Sequence, residues 1–336
     1  MKDLFIKITL LLLIFSSCKK SVSSIETVNV YMAGIETKGI NSIAKYWKNG
    51  NAVSLTDGTN SAGANSIFVS GNDVYVAGAE GKGFGSIAKY WKNGNAVSLT
   101  DGSNGAGANS ILVSGNDVYV AGSESNGIHF VAKYWKNSTP ISLTDSSNDA
   151  HANSIFTSGS DVYVAGYESN GTHDVAKYWK NGNTVSLTDG TNNASANSIF
   201  VSVNDVYVAG SESDGTHDIA KYWKNGNAVS LTNSPNTGIA YSIFVTNNDI
   251  YVAGYELGNY ASVAKYWKNG IADSLTDASH FGNTSSVFVS GNDVYVAGYE
   301  FNGTYDVATY WINGKEVSVN DDSTNSIANC IFVTGK

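Results

Sequence analysis

Seven tryptophans stand at positions 47, 91, 135, 179, 223, 267 and 311, a constant step of 44 residues without one insertion. A period this long and this strict excludes most folds. Each unit must be a small supersecondary block, and the blocks must pack on one another to bury their apolar faces. Seven copies fill residues 29–336.

One unit, from Asn109, reads NSILVSGNDVYVAGSESNGIHFVAKYWKNSTPISLTDSSNDAHA. Its alternation predicts strands near 110–114, 118–124, 131–136 and 141–144. A GND turn joins the first two, and most copies place NG between the last two, a strong hairpin signal. A polar loop of the SNGIH type links the middle strands, and a loop of about ten Asp, Gly, Asn, Ser and Ala residues leads into the next copy. Helical solenoids have similar periods, but the unit has no apolar pattern of helical spacing and too much Gly and Asn. Four short antiparallel strands per unit predict an all-β fold, a seven-bladed β-propeller.

The chain ends predict how the ring closes. The first copy opens at its second strand, VNVYMAGIE, and the last stops after a first strand, NCIFVTGK. Pairing 329–334 with 29–34 completes one blade and covers two open sheet edges. The strand after the long loop is then innermost and 53–56 is outermost. Pro140 starts an outermost strand, where proline is tolerated. Both tight turns fall on one face of the ring, and the long loops and the ESNGTH-type loops fall on the other. In AKYWK, Tyr and Trp point to opposite sides of the sheet, so one packs against each neighbouring blade. The Ala-Gly pairs, such as Ala77-Gly78, are expected to allow close approach of adjacent sheets.

This order of strands, the VYVAG second strand and the aromatic third strand resemble kelch-type propellers over residues 29–336. The sequence departs from that pattern in carrying Ala-Gly for Gly-Gly and an adjacent Tyr-Trp. It is also similar to the repetitive propellers of bacterial surface lipoproteins, a resemblance that implies a binding role.

Residues 1–17 carry Lys2 and Lys7, an apolar run from Ile8 to Phe15 and then small residues. The run is too short to span a bilayer and reads as a secretory signal. Phe15-Ser16-Ser17-Cys18 resembles a bacterial lipobox, which implies cleavage before Cys18 and a lipid on its sulfur. Residues 18–28 would then link the lipid anchor to the propeller, outside the cytoplasmic membrane. The other cysteine, Cys330, replaces a serine found in six copies and is expected to be a buried free thiol.

Charged residues make up 15% of the chain, against about 25% in typical domains. The net charge is −9 and no basic run occurs. Nucleic acid is therefore not an expected partner, because phosphate binding needs clustered Lys or Arg.

Several residue sets bear on chemistry. Glu36, Glu80, Glu124, Glu168, Glu212, Glu256 and Glu300 form a carboxylate ring, but a lysine lies nine residues after each of the first six. Structural cross-strand pairs are expected there; Thr309 breaks the lysine set. Asp73 and its equivalents are expected to bond their own turn backbone. His129, His173 and His217 share one repeat position, where another copy has Tyr305. Copies also differ just before the Glu, at Tyr167, Tyr255 and Tyr299 among others. These seven His and Tyr residues are candidate ligand contacts on the variable face. No nucleophile–base arrangement stands out, and no metal or cofactor is expected. The expected function is a monomeric, non-catalytic binding or scaffolding module for a protein or glycan. The alternatives are a lectin with sugar sites between blades, using loop aromatics such as Tyr260, Phe281 and Tyr305, or an enzyme acting in the central pocket.

Overall fold

The computed structural model describes residues 28–258, 261–277, 279, 281–319 and 323–335. The signal segment 1–17, Cys18, all but the last residue of the 18–28 linker, and Tyr260 lie outside the described residues. Within them, the chain forms seven sheets of four antiparallel strands. Blade 4 is typical: Ala150–Ser158 is innermost, followed outward by Asp161–Ser169, Asp174–Lys180 and Asn183–Ser186. Innermost strands of successive blades touch around the ring, and the last of them, Ser326–Thr334, touches both Gly282–Ser290 and Ala62–Ser70.

The ring closes as the chain ends predict. Ser326–Thr334 is the innermost strand of blade 1, whose other strands are Asn29–Lys38, Asn41–Lys48 and Asn51–Ser54. Its register runs from Asn29 opposite Thr334 to Glu36 opposite Ser326. Pro140 sits in the edge strand Thr139–Ser142, opposite Trp135.

Blade packing follows from side-chain alternation. All seven tryptophans are at most 1% exposed. Trp135 packs on blade 2, against Tyr75, Ala77 and Ala88, while the adjacent Tyr134 packs on the opposite side, in the cluster holding Trp179 of blade 4. Each blade thus gives a tryptophan backward and a tyrosine forward. A belt of phenylalanines joins the innermost strands, with centroids 4.8–5.0 Å apart from Phe156 through Phe200, Phe244, Phe288 and Phe332 to Phe68; Leu112 fills the remaining position.

Three expectations are corrected. The innermost strand begins four residues earlier than its alternation indicates, at Ala106 in blade 3, because a β-bulge lies inside it. The register slips between Ala108 and Ser110, and Asn109 is the extra residue. This bulge, not the adjacent sheet, is what the Ala-Gly glycine serves. A Cβ on Gly166 would lie 1.9 Å from the His151 carbonyl oxygen of its own blade, and Gly78 meets Gly63 in the same way. The alanine beside it does face the neighbouring blade: Ala77 is fully buried in the cluster with Trp135.

The third correction concerns the turn aspartates. Asp73 bonds the other hairpin of its blade instead of its own turn backbone. Its Oδ1 accepts from Asn93 Nδ2 at 2.8 Å and its Oδ2 pairs with Lys92 at 2.8 Å. Asn93, at φ 52°, opens the Asn-Gly turn, and its Oδ1 accepts the Val74 amide at 2.9 Å. The arrangement recurs at Asp117, Asp161, Asp205 and Asp249. The loop aspartates behave as expected: Asp57 Oδ1 accepts the Thr59 amide at 2.8 Å.

Candidate functional site

On the loop side, the innermost strands open into a central cavity of about 600 Å³. The bulge shapes it. By taking the extra position, Asn109 turns its side chain across the blade junction, and its Nδ2 donates to the Ala152 carbonyl at 3.0 Å. Asn65, Asn153, Asn197 and Asn329 make the same clamp on the next blade at 2.9–3.1 Å. The following serine accepts from the next blade too: Ile155 N donates to Ser110 Oγ at 3.2 Å. Cys330 ends this ring of serines; it is half-buried in the cavity lining, and desolvation pushes its pKa up.

The ring is not sevenfold at its mouth. Tyr241 and Ser285 stand where five blades have the clamping asparagine. Two residues earlier, beside the second strand, His151 lies opposite Tyr167, Ile239 opposite Tyr255 and Asn283 opposite Tyr299. The matching pair in blade 2 is Gly63 and Ala79. An aromatic wall therefore rises on blades 4, 6 and 7. Tyr241 and Tyr255 stack with centroids 6.1 Å apart. Phe130, His151 and Tyr167 form a second row, with spacings of 4.8 and 5.1 Å. Ser123 Oγ fixes that row to blade 3 through His151 Nδ1 at 2.9 Å.

Burial dominates the electrostatics. It pushes the phenols of Tyr167, Tyr241 and Tyr299 up and raises Tyr255 to about 12, so all four stay neutral. It lowers the His151 pKa, favouring neutral imidazole. Asp174 and Asp306 open the third strands of blades 4 and 7, and burial raises both carboxyls. The carboxylate ring is different. Lys45 pairs with Glu36 at 2.6 Å, and Glu80, Glu124, Glu168, Glu212 and Glu256 each have their own lysine. They are diagonal cross-strand pairs, as expected.

The seven candidate contacts divide. Tyr167 and Tyr299 line the cavity, and Tyr255 stacks on Tyr241, which also lines it. His129, His173, His217 and Tyr305 lie outside the lining, in the loops between second and third strands. The amides of His129, His173 and Tyr305 are held by Asn126, Asn170 and Asn302, and that of His217 by Asp214. The His129 ring lies 3.5 Å from Asp149, and that of His217 lies 3.4 Å from Ser234. Among the described residues, no three His, Cys, Asp or Glu side chains are placed to share a metal ion.

Sequence reasoning missed His151, Tyr241, Asn283 and Asp174. The available signal was departure from the repeat at the positions that Gly63, Asn65 and Ser86 hold in blade 2, inside strands instead of loops.

No model of a known protein family matches the chain, and comparison with curated proteins finds no match. Among solved structures, it is similar to the β-propeller domain of the Trilobed protease from Pyrococcus furiosus. That likeness has 9% identity and a TM-score of 0.49, and covers 87% of this chain and 97% of that one. It is also similar to Kuenenia stuttgartiensis hydrazine synthase, with 12% identity and a TM-score of 0.46, over 75% of this chain and 46% of that one. Neither likeness carries an argument about activity; the propeller is read from the strands themselves.

Proposed function

We propose that the propeller is a non-catalytic binding or scaffolding module that receives a protein or glycan on its loop face, at the mouth of the central cavity. Residues 1–17 act as a lipoprotein signal peptide, and Cys18 carries the lipid that tethers the module outside the cytoplasmic membrane. One observation carries the ligand side of this reading. The blade cores repeat almost without change, yet the cavity mouth carries Tyr167, Tyr241, Tyr255 and Tyr299 where other blades have Ala, Ser, Ile or Asn. Packing needs the same wedge in every blade, so blade-specific side chains around an open cavity favour recognition. The turn face offers tight two-residue turns whose polar groups are spent on each other.

The test uses the full chain in mild detergent on glycan and peptide arrays. Once a ligand is found, alanine sets on the two faces are compared for affinity. Loss with the loop-face set is expected; loss confined to the turn-face set, with both sets folded, would overturn the assignment. Cys18→Ser should leave the protein unlipidated and shift it to the soluble fraction; unchanged mass and fractionation would rule out the anchor.

A further inference from the structure

The polar groups of the cavity fall into two sets. Each clamping asparagine spends its Nδ2 on a carbonyl of the next blade. A carbonyl can only accept, so the amide is oriented and Oδ1 is what remains to be offered. The serines are the complement. Ser110, Ser154, Ser198 and Ser242 each accept an amide of the next blade at 3.1–3.2 Å, which leaves the hydroxyl proton to be donated. No charged side chain is among the residues that line the cavity. An ion of either sign would give up water there and meet no opposite charge. A hydroxyl group, which donates and accepts at once, satisfies both sets.

Blade 5 shows such a hydroxyl in place. Ser195 Oγ donates to Asn197 Oδ1 at 2.8 Å. At the same register, blades 2 and 3 carry Gly63 and Gly107, and among the described residues no protein group donates to Asn65 or Asn109 Oδ1. The fold does not require glycine at either place. Both have an ordinary φ, and a Cβ would meet nothing nearer than 3.7 Å. The two glycines therefore leave open the space that the Ser195 hydroxyl fills. In a ring of seven, the junction of blades 2 and 3 faces blade 6, which carries Tyr241. Tyr241 is backed by Tyr255 and Tyr167 by His151, so this wall is in position before any ligand arrives. The mouth thus sets flat aromatic rings on one side and unfilled amide oxygens on the other.

We infer that the central cavity receives a neutral saccharide. Its C–H faces lie along the tyrosine wall, and its hydroxyls donate to Asn65 and Asn109 Oδ1 as Ser195 does to Asn197. The serine hydroxyls below donate to further sugar oxygens. A cavity of about 600 Å³ is in the range that holds a small molecule, here a short oligosaccharide. A protein partner would have to insert a loop to reach the same groups, whereas a sugar carries the hydroxyls around its own edge. The inference rests on the reading of the mouth as the binding site.

Calorimetric titration of the full chain tests it. The probes are the linear trimers of glucose, mannose, galactose and N-acetylglucosamine, with the galacturonate and glucosamine trimers as anionic and cationic counterparts. At least one neutral trimer should bind, and both charged trimers should bind at least about tenfold more weakly than it does. The variants are Tyr241→Asn and the double change Gly63→Ser with Gly107→Ser. Each introduces the residue that blade 5 carries at that register, Asn197 or Ser195, so the fold is retained and the melting temperature checks it. The first removes part of the aromatic wall, and the second supplies from the protein the hydroxyls that the ligand would bring. Each should weaken binding of the neutral trimer by about tenfold. Failure of every neutral trimer to bind, equal binding of a charged trimer, or binding indifferent to both variants overturns the inference. If an array peptide binds instead, and the same variants abolish it, the inference fails while the binding-module reading stands. If no ligand of the chain depends on these residues, both fall.

Discussion

The asparagine of each Asn-Gly turn shows how much one side chain contributes. Asn181 adopts a left-handed φ of 50°, accepts the Val162 amide, and donates to Asp161 in the neighbouring hairpin. Aspartate position decides the sign of its pH effect. Lys180 first, and then Asn181, hold the Asp161 carboxyl below its usual range. Its contribution is present above the unfolded pKa of about 3.9 and is lost as pH falls through the folded value. Asp161→Asn should therefore lower the melting temperature at pH 7 and have less effect near pH 3. Asp174 is the reverse, because burial raises its carboxyl. It favours folding only while protonated, and that contribution disappears as pH rises through the folded pKa. Asp174→Asn should raise the melting temperature at pH 7 relative to the parent, with a smaller difference near pH 3. Thermal melts of both variants at the two pH values decide the matter; equal shifts at both pH values would contradict the assignment. Gly166 has no room for a methyl group against the His151 carbonyl. Gly166→Ala should cost at least about 1–3 kcal/mol in denaturant titration, because the obstacle is bulged backbone that must shift.

Within a blade, the third strand binds the ring together. Trp179 is fully buried among Tyr119, Ala121, Ala132 and Leu143 of blade 3 and Ala152, Ile155 and Val164 of its own blade. Trp179→Ala should cost roughly 3–5 kcal/mol, as large aromatic truncations in cores do. A neutral effect on stability combined with lost ligand binding would make the tryptophans ligand platforms instead. The innermost strand has a different task. Its bulge adds a residue whose side chain reaches the next blade, so one local irregularity supplies both an inter-blade clamp and a cavity lining.

The molecule as a whole depends on its C-terminal strand. Ser326–Thr334 supplies buried Ile331 and Val333, Phe332 of the aromatic belt, and the Asn329 clamp on Ala64. Truncation after Ala328 removes all of them and exposes the inner edge of Asn29–Lys38. Aggregation or loss of cooperative unfolding is expected. A truncated chain melting as cooperatively as the full one would show that closure lies elsewhere.

Period, blade count, strand order and closure were legible in the sequence because each is a local choice repeated seven times. Alternation in AKYWK, the Asn-Gly turns and the split terminal blade all express backbone geometry within one unit. The lysine partners of the glutamates were legible for the same reason, since the two side chains lie nine residues apart on one hairpin. Three features were decided only in three dimensions. Asp73 looks self-sufficient in its turn until the second hairpin brings Lys92 and Asn93 beside it. The bulge looks like the end of a loop, because an extra residue breaks the alternation that marks a strand. The cavity mouth joins Tyr167, Tyr241 and Tyr299 from three blades. No spacing in one unit encodes that meeting; it exists because ring closure turns the same register position of every blade toward one axis.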